Sequence, residues 1–197
     1  MALKKEPKIL GLDVSTKTIG WALFGINSKN LLELTHFSPR VSPRPEDKIE
    51  ELLKKSVAFE ERLKEVKDYN IIKVVIEEPL LTSNNIYTVG SLLRYNSMIV
   101  KTVYDVLGIV PNFISTYNSR KFAHPTLYNY NDKGKKVLFG GYPKGCDKKH
   151  LVWDLVKKAE PQITWPHART GNLKKECYDI SDAYTCVKGY MTQNEIW

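Results

Sequence analysis

The chain of 197 residues carries 30 Lys and Arg against 22 Asp and Glu, a net charge of +8, with 42% hydrophobic and 26% charged residues. That balance excludes a disordered chain, and 11 Gly, 10 Pro and 3 Cys exclude a collagen-like repeat or a disulfide-stapled scaffold. The basic surplus favours a polyanionic partner such as nucleic acid.

The first segment, KILGLDV (Lys8–Val14), reads as a buried strand ending in an acid. A Ser-Thr-Lys-Thr turn leads to a second strand over 19–26, and LLELTHF (Leu31–Phe37) alternates as a third. Three short strands with tight turns predict an antiparallel meander. The Pro-rich stretch 38–45 is a loop, and the spacing of Ile49, Leu52, Leu53, Val57, Leu63 and Val66 predicts a helix over 46–69. IIKVVI at 71–76 is a β-branched strand followed by Glu77, Glu78 and Pro79, which stops it. A long helix over 85–107, capped by Gly108, precedes a fifth strand over 110–115 and a short helix at 118–122. The stretch 127–143 reads as a hairpin around Asp132-Lys133-Gly134, flanked by Tyr128, Tyr130, Phe139 and Tyr142. A helix over 147–159 with Asp147 as its N-cap and a final helix over 175–190 close the chain. The order predicts an α/β arrangement, a mixed five-stranded sheet with helices on its faces. The three cysteines form no CxxC pair, so reduced thiols in a cytosol are expected. No apolar run exceeds strand length, so neither a leader peptide nor a membrane span is expected.

Four acids stand out. Asp13 and Glu77 lie at the ends of apolar strands, and Asp179 and Asp182 are three apart, on one face of a helix. Taken singly, an Asp at a strand end reads as a turn former or helix cap, and a DxxD pair on a helix as a solvated face. Jointly they converge if the last helix packs over the strand ends, where α/β sheets build ligand sites. Two unit charges about 4 Å apart repel by about 4 kcal/mol at an effective dielectric of 20, so clustered carboxylates need protons or cations. Hard oxygen donors favour Mg²⁺ or Mn²⁺, and a pair of such ions suits phosphodiester hydrolysis. Glu78 points opposite to Glu77 in a regular strand. Around the acids the sequence places a basic frame: Lys17, Arg120, Lys121, Lys148, Lys149, Lys174 and Lys175, with Lys133, Lys135 and Lys136 on the hairpin. Such a frame grips a polyanion, and the hairpin aromatics suit either stacking on unpaired bases or a small packed flap with a wet basic tip. His150 follows Lys148 on the same helix and is within reach of the site, whereas His36, His124 and His167 form no ligand set. Trp21 and Trp153 read as core residues. No nucleotide loop of the GxxxxGK[ST] or GxGxxG kind is present.

The segments ILGLDVSTKTIGWALF, VVIEEP, GCDKKHLVWDLV and DISDAYTC, in that order, resemble the RuvC-like Holliday junction resolvases of the RNase H-like superfamily, in their phage or viral branch. The resemblance spans nearly the whole chain. It implies one RNase H-like nuclease domain over 1–197, with a basic aromatic insertion around 123–145 that is longer than in bacterial members. It implies Asp13, Glu77, Asp179 and Asp182 as metal ligands for Mg²⁺, with Mn²⁺ substituting, and Lys148 as the basic residue near the scissile phosphate. The expected activity is structure-selective cleavage of four-way junctions or other branched DNA, in recombination or repair. Alternatives are a nuclease of the same superfamily for flaps, forks or RNA–DNA hybrids, and an inactive DNA-binding scaffold. Leu80 stands where the family often carries an aromatic residue. Two nicks related by a two-fold axis imply a homodimer, with the helix over 85–107 as its seam; the alternative is that this helix is consumed between the sheet and the helix before it.

Overall fold

The computed structural model describes residues 6–42, 45–80 and 85–197. Part of the 38–45 loop and the first five residues, read above for a leader peptide, lie outside these. A five-stranded sheet is built from β1 (Lys8–Val14), β2 (Ile19–Gly25), β3 (Leu31–Phe37), β4 (Ile71–Glu77) and β5 (Asn112–Ile114), in the order β3-β2-β1-β4-β5. The first three pair antiparallel, and β4 runs parallel to both β1 and β5. β1 is central, which is why its apolar run is unbroken: Ile9, Leu10 and Leu12 are fully buried between two layers.

On one face lie α1 (Lys48–Lys64) and α2 (Ile86–Leu107). Leu52, Phe59 and Leu63 from α1 and Tyr95, Ile99 and Val103 from α2 meet Leu10, Leu12, Val74 and Ile76 there. Asp47 caps α1 by accepting from Ile49 N, and Asn85 caps α2 by accepting from Tyr87 N and Thr88 N. α1 is shorter than its apolar spacing suggests. Its last turn relaxes into bonds such as Val66 N to Leu63 O, and Asn70 turns the chain with φ +58°. α2 packs against both the sheet and α1, yet Leu93 and Tyr104 remain exposed.

The opposite face is covered by α3 (Thr116–Ala123), α4 (Lys148–Ala159) and α5 (Glu176–Gln193). Trp153 and Val156 of α4 and Ile180, Ala183, Tyr184 and Val187 of α5 pack on Ile9, Ala22, Phe24 and Val75. α3 and α5 are clasped together: a Cβ on Gly189 would lie 2.4 Å from Ser119 O, and His124 bonds Thr185 Oγ1 at 2.9 Å. Between α3 and α4, the strands β6 (Tyr128–Tyr130) and β7 (Lys136–Leu138) form the expected hairpin, closed by Asn131 N donating to Lys135 O. Among the described residues no helix is long and apolar enough to cross a membrane.

Candidate active site

Strand parity decides which side chains reach the α5 face. Leu10, Leu12 and Val14 of β1 and Val74 and Ile76 of β4 belong to the α1–α2 layer, whereas Ile9 and Val75 belong to the α5 layer. Asp13 and Glu77 share the parity of Ile9 and Val75, so both carboxyl groups leave the strands toward α5. The two strands are parallel neighbours with Leu12 opposite Ile76, which brings the two acids side by side. Glu78 falls beyond β4; it is exposed, and its N–H donates to Ile114 O.

Glycines bring in the other two acids. Gly20 is the ladder partner of Asp13, and a Cβ at Gly20 would lie 2.0 Å from Asp179 O. At Gly11 a Cβ would lie 2.9 Å from Ala183 O. With no side chain in the way, the backbone of α5 rests directly on β1 and β2, and Asp179 and Asp182 are laid over Asp13.

The electrostatics follow from this crowding. Burial, then Glu77, Asp182 and Asp179, hold the Asp13 carboxyl well above the usual carboxylate range, with Lys149 opposing. Burial and Asp182 push Glu77 up to about 7, against Thr116, Arg120 and Lys149. Burial raises Asp179 to about 6, with Lys149 opposing and Asp182 adding to the rise. Burial works against charge on Lys149, but Asp182, Asp13 and Asp179 outweigh it and raise its pKa.

Three polar side chains organise the acids. Thr116 Oγ1 donates to Glu77 Oε1 at 2.7 Å. Arg120 Nη2 meets Asp182 Oδ1 at 3.1 Å, and Lys149 Nζ meets Asp182 Oδ2 at 3.4 Å. Sequence reasoning missed Thr116 and the pairing of Arg120 and Lys149 with Asp182. The one available signal is that Thr116 and Arg120 are four apart on a helix that directly follows β5. Lys148 is placed differently from its neighbour: its Nζ lies 5.2 Å from the centre of the Phe139 ring. His150 lies against Trp153, with ring centres 4.9 Å apart and planes tilted by 44°, and its Nδ1 is 3.5 Å from the Tyr178 hydroxyl.

Among the described residues, no group of three or more His, Cys, Asp or Glu side chains stands ready as placed to hold a metal ion. The donor set nonetheless fits a hard cation. All four groups are carboxylates, and Glu77 Oε2 is buried without a hydrogen-bond partner. The basic frame is arranged on both sides. Lys17, Arg40, Lys149 and Lys175 line a cleft of about 580 Å³ beside Asp179, and Arg120, Lys135, Lys136 and Lys148 line another of about 510 Å³. Lys121 lies over Tyr128, Lys133 sits exposed at the hairpin tip, and Lys174 is exposed ahead of α5. Leu80 is 60% exposed just past β4.

This strand order, with helices on both faces, is the RNase H-like α/β fold. No protein-family model matches the sequence, and no curated protein matches it. Among solved structures the chain is similar to RuvC of Thermus thermophilus. The RuvC structure in complex with a Holliday junction substrate has a TM-score of 0.60 at 9% identity, over 94% of this chain and 95% of that one. A second RuvC structure from the same organism has a TM-score of 0.56 at 13% identity, over 95% of this chain and 96% of that one.

Proposed function

We propose that the protein is a divalent-metal-dependent endonuclease that resolves four-way DNA junctions or other branched DNA. The observation that carries this reading is the convergence of Asp13, Glu77, Asp179 and Asp182 at the ends of β1, β4 and α5, three of them held above the usual carboxylate range. A binding module gains nothing from four mutually repelling carboxylates, whereas a site that takes up cations uses them. The similarity of fold to RuvC, one structure of which holds a Holliday junction, supports the same reading. The placement in a phage or viral branch rests on the sequence motifs.

In this reading Asp13, Glu77, Asp179 and Asp182 would hold Mg²⁺ or Mn²⁺, which would supply charge neutralisation and activate water for phosphodiester hydrolysis. Thr116 fixes the Glu77 carboxylate, leaving Oε2 free to ligate. Arg120 and Lys149 compensate Asp182 before cations arrive. The flanking lysines hold the DNA backbone, and Lys148, at the start of α4, stands on the rim where a strand approaches the acids. Paired nicks on a two-fold substrate call for a homodimer, and the exposure of Leu93 and Tyr104 supports α2 as its seam. Cleavage of a matched panel of four-way junction, fork, flap, linear duplex and RNA–DNA hybrid with Mg²⁺ tests the proposal. Paired, Mg²⁺-dependent nicks in the junction are expected. Equal cutting of linear duplex, or preferential cutting of the hybrid, overturns it.

A further inference from the structure

The cleft between α3, the β6–β7 hairpin and the start of α4 has an unusual lining. It holds four cations, Arg120, Lys135, Lys136 and Lys148, and no carboxylate. Arg120 is the one cation of the four with an ion-pair partner among the described residues, and that partner, Asp182, belongs to the acid site. Uncompensated like charge held around one hollow calls for an anionic occupant.

Its walls also carry rings. Lys136 Nζ lies 4.8 Å from the Tyr128 ring centre and Lys121 Nζ 5.6 Å from it. Lys148 and Arg120 lie 5.2 Å and 5.9 Å from the centre of Phe139. Phe139 is held at a cost. Its φ is +57°, a left-handed backbone that a bulky aromatic rarely adopts, and its N–H is tied to Leu127 O at 2.6 Å. The next residue, Gly140, is packed closely, for a Cβ there would lie 2.7 Å from Val137 Cγ2 and 2.8 Å from Asn129 O. Strain kept at an aromatic that faces a cationic hollow points to use of that ring.

Simple phosphate contacts along a duplex need lysines but no rings, whereas this cleft carries both. One nucleotide fits both features. Position then selects which one: Thr116 and Arg120 line this cleft and also bond Glu77 and Asp182. We infer that this cleft receives the nucleotide next to the scissile phosphate, unstacked from its neighbours, with its base against the Tyr128 and Phe139 rings and its phosphate among Lys135, Lys136 and Lys148; this rests on the nuclease reading above. The lysines that cover the rings swing on flexible stems to the phosphate as the base takes their place.

A cycle that removes the base and the ring in turn tests this. All proteins carry Asp13→Asn, so that the DNA stays whole, and affinity is measured for junctions intact or abasic at each position flanking the cut. At one flanking position, loss of the base should weaken binding about tenfold, as for a base stacked on an aromatic side chain. The same loss should be nearly silent in Tyr128→Leu, while Tyr128→Phe should behave as the parent. If Tyr128→Leu fails to fold, Phe139→Leu replaces it, and the parent's response to the abasic positions stands alone. Unchanged parent affinity at both abasic positions, or base and ring effects that simply add, overturns the inference. If the intact protein cuts junctions in that case, the nuclease reading survives; if it neither binds nor cuts them, that reading fails first.

Discussion

Replacing Glu77 with Gln should stabilise the metal-free protein at pH 8 while abolishing cleavage. Glu77 is carried from 4.5 to about 7 by burial and the neighbouring Asp182. The folded chain therefore holds a proton that the unfolded chain has already released. Stability is full below pH 4.5 and is lost as pH rises through about 7, by about 3 kcal/mol once both states are ionised. The substituted amide carries no charge to desolvate and can still accept the Thr116 hydroxyl. Allowing about 1 kcal/mol for the weaker hydrogen bond to a neutral acceptor, the net gain is about 2 kcal/mol at pH 8. For a chain of this size that raises Tm by roughly 4–8 °C. At pH 5 most of the gain disappears, because the native Glu77 is then protonated. Thermal melts followed by circular dichroism in EDTA at both pH values measure it. An unchanged or lower Tm at pH 8, or an equal gain at pH 5, would refute the reasoning.

Lys149→Gln removes a positive charge that holds down Asp13, Glu77 and Asp179, so the acidic limb of the cleavage rate profile should move to higher pH; a limb that stays put, or moves down, contradicts the pairing drawn above. Gly20→Ala should cost roughly 3 kcal/mol or more and impair cleavage, because the new methyl meets Asp179 O at 2.0 Å, whereas Gly90→Ala, inside α2 with nothing within 4 Å, should stabilise by about 1 kcal/mol; denaturant titration reads both. Millimolar Mg²⁺ should raise the Tm of the parent at pH 8 but not that of Asp13→Asn, as ligand linkage to the folded state requires. Tyr104→Arg should convert the expected dimer to a monomer by sedimentation equilibrium without lowering Tm by more than a degree or two, since the side chain is 56% exposed within one chain.

Much of this architecture was legible from local patterns. The apolar run of β1 marked it as a buried strand, because a strand covered on both faces drops the period-two alternation, and β-branched residues marked β4 as a strand. Asp147 and Gly108 marked helix ends through capping chemistry that acts within a few residues. Strand parity set Glu77 and Glu78 on opposite sides, and the family resemblance selected Glu77 as the partner of Asp13. What the sequence alone left open depends on distances between segments far apart in the chain. Lys148 and Lys149 are adjacent and equally charged, and the family resemblance singled out Lys148 as the residue near the scissile phosphate. The pitch of α4 against α5 turns Lys149 to Asp182 and Lys148 to Phe139. Gly11 and Gly20 read as ordinary strand glycines until α5 is seen resting on them. The raised pKa values belong to no single residue, for they arise when three strand and helix ends exclude water from the same small volume.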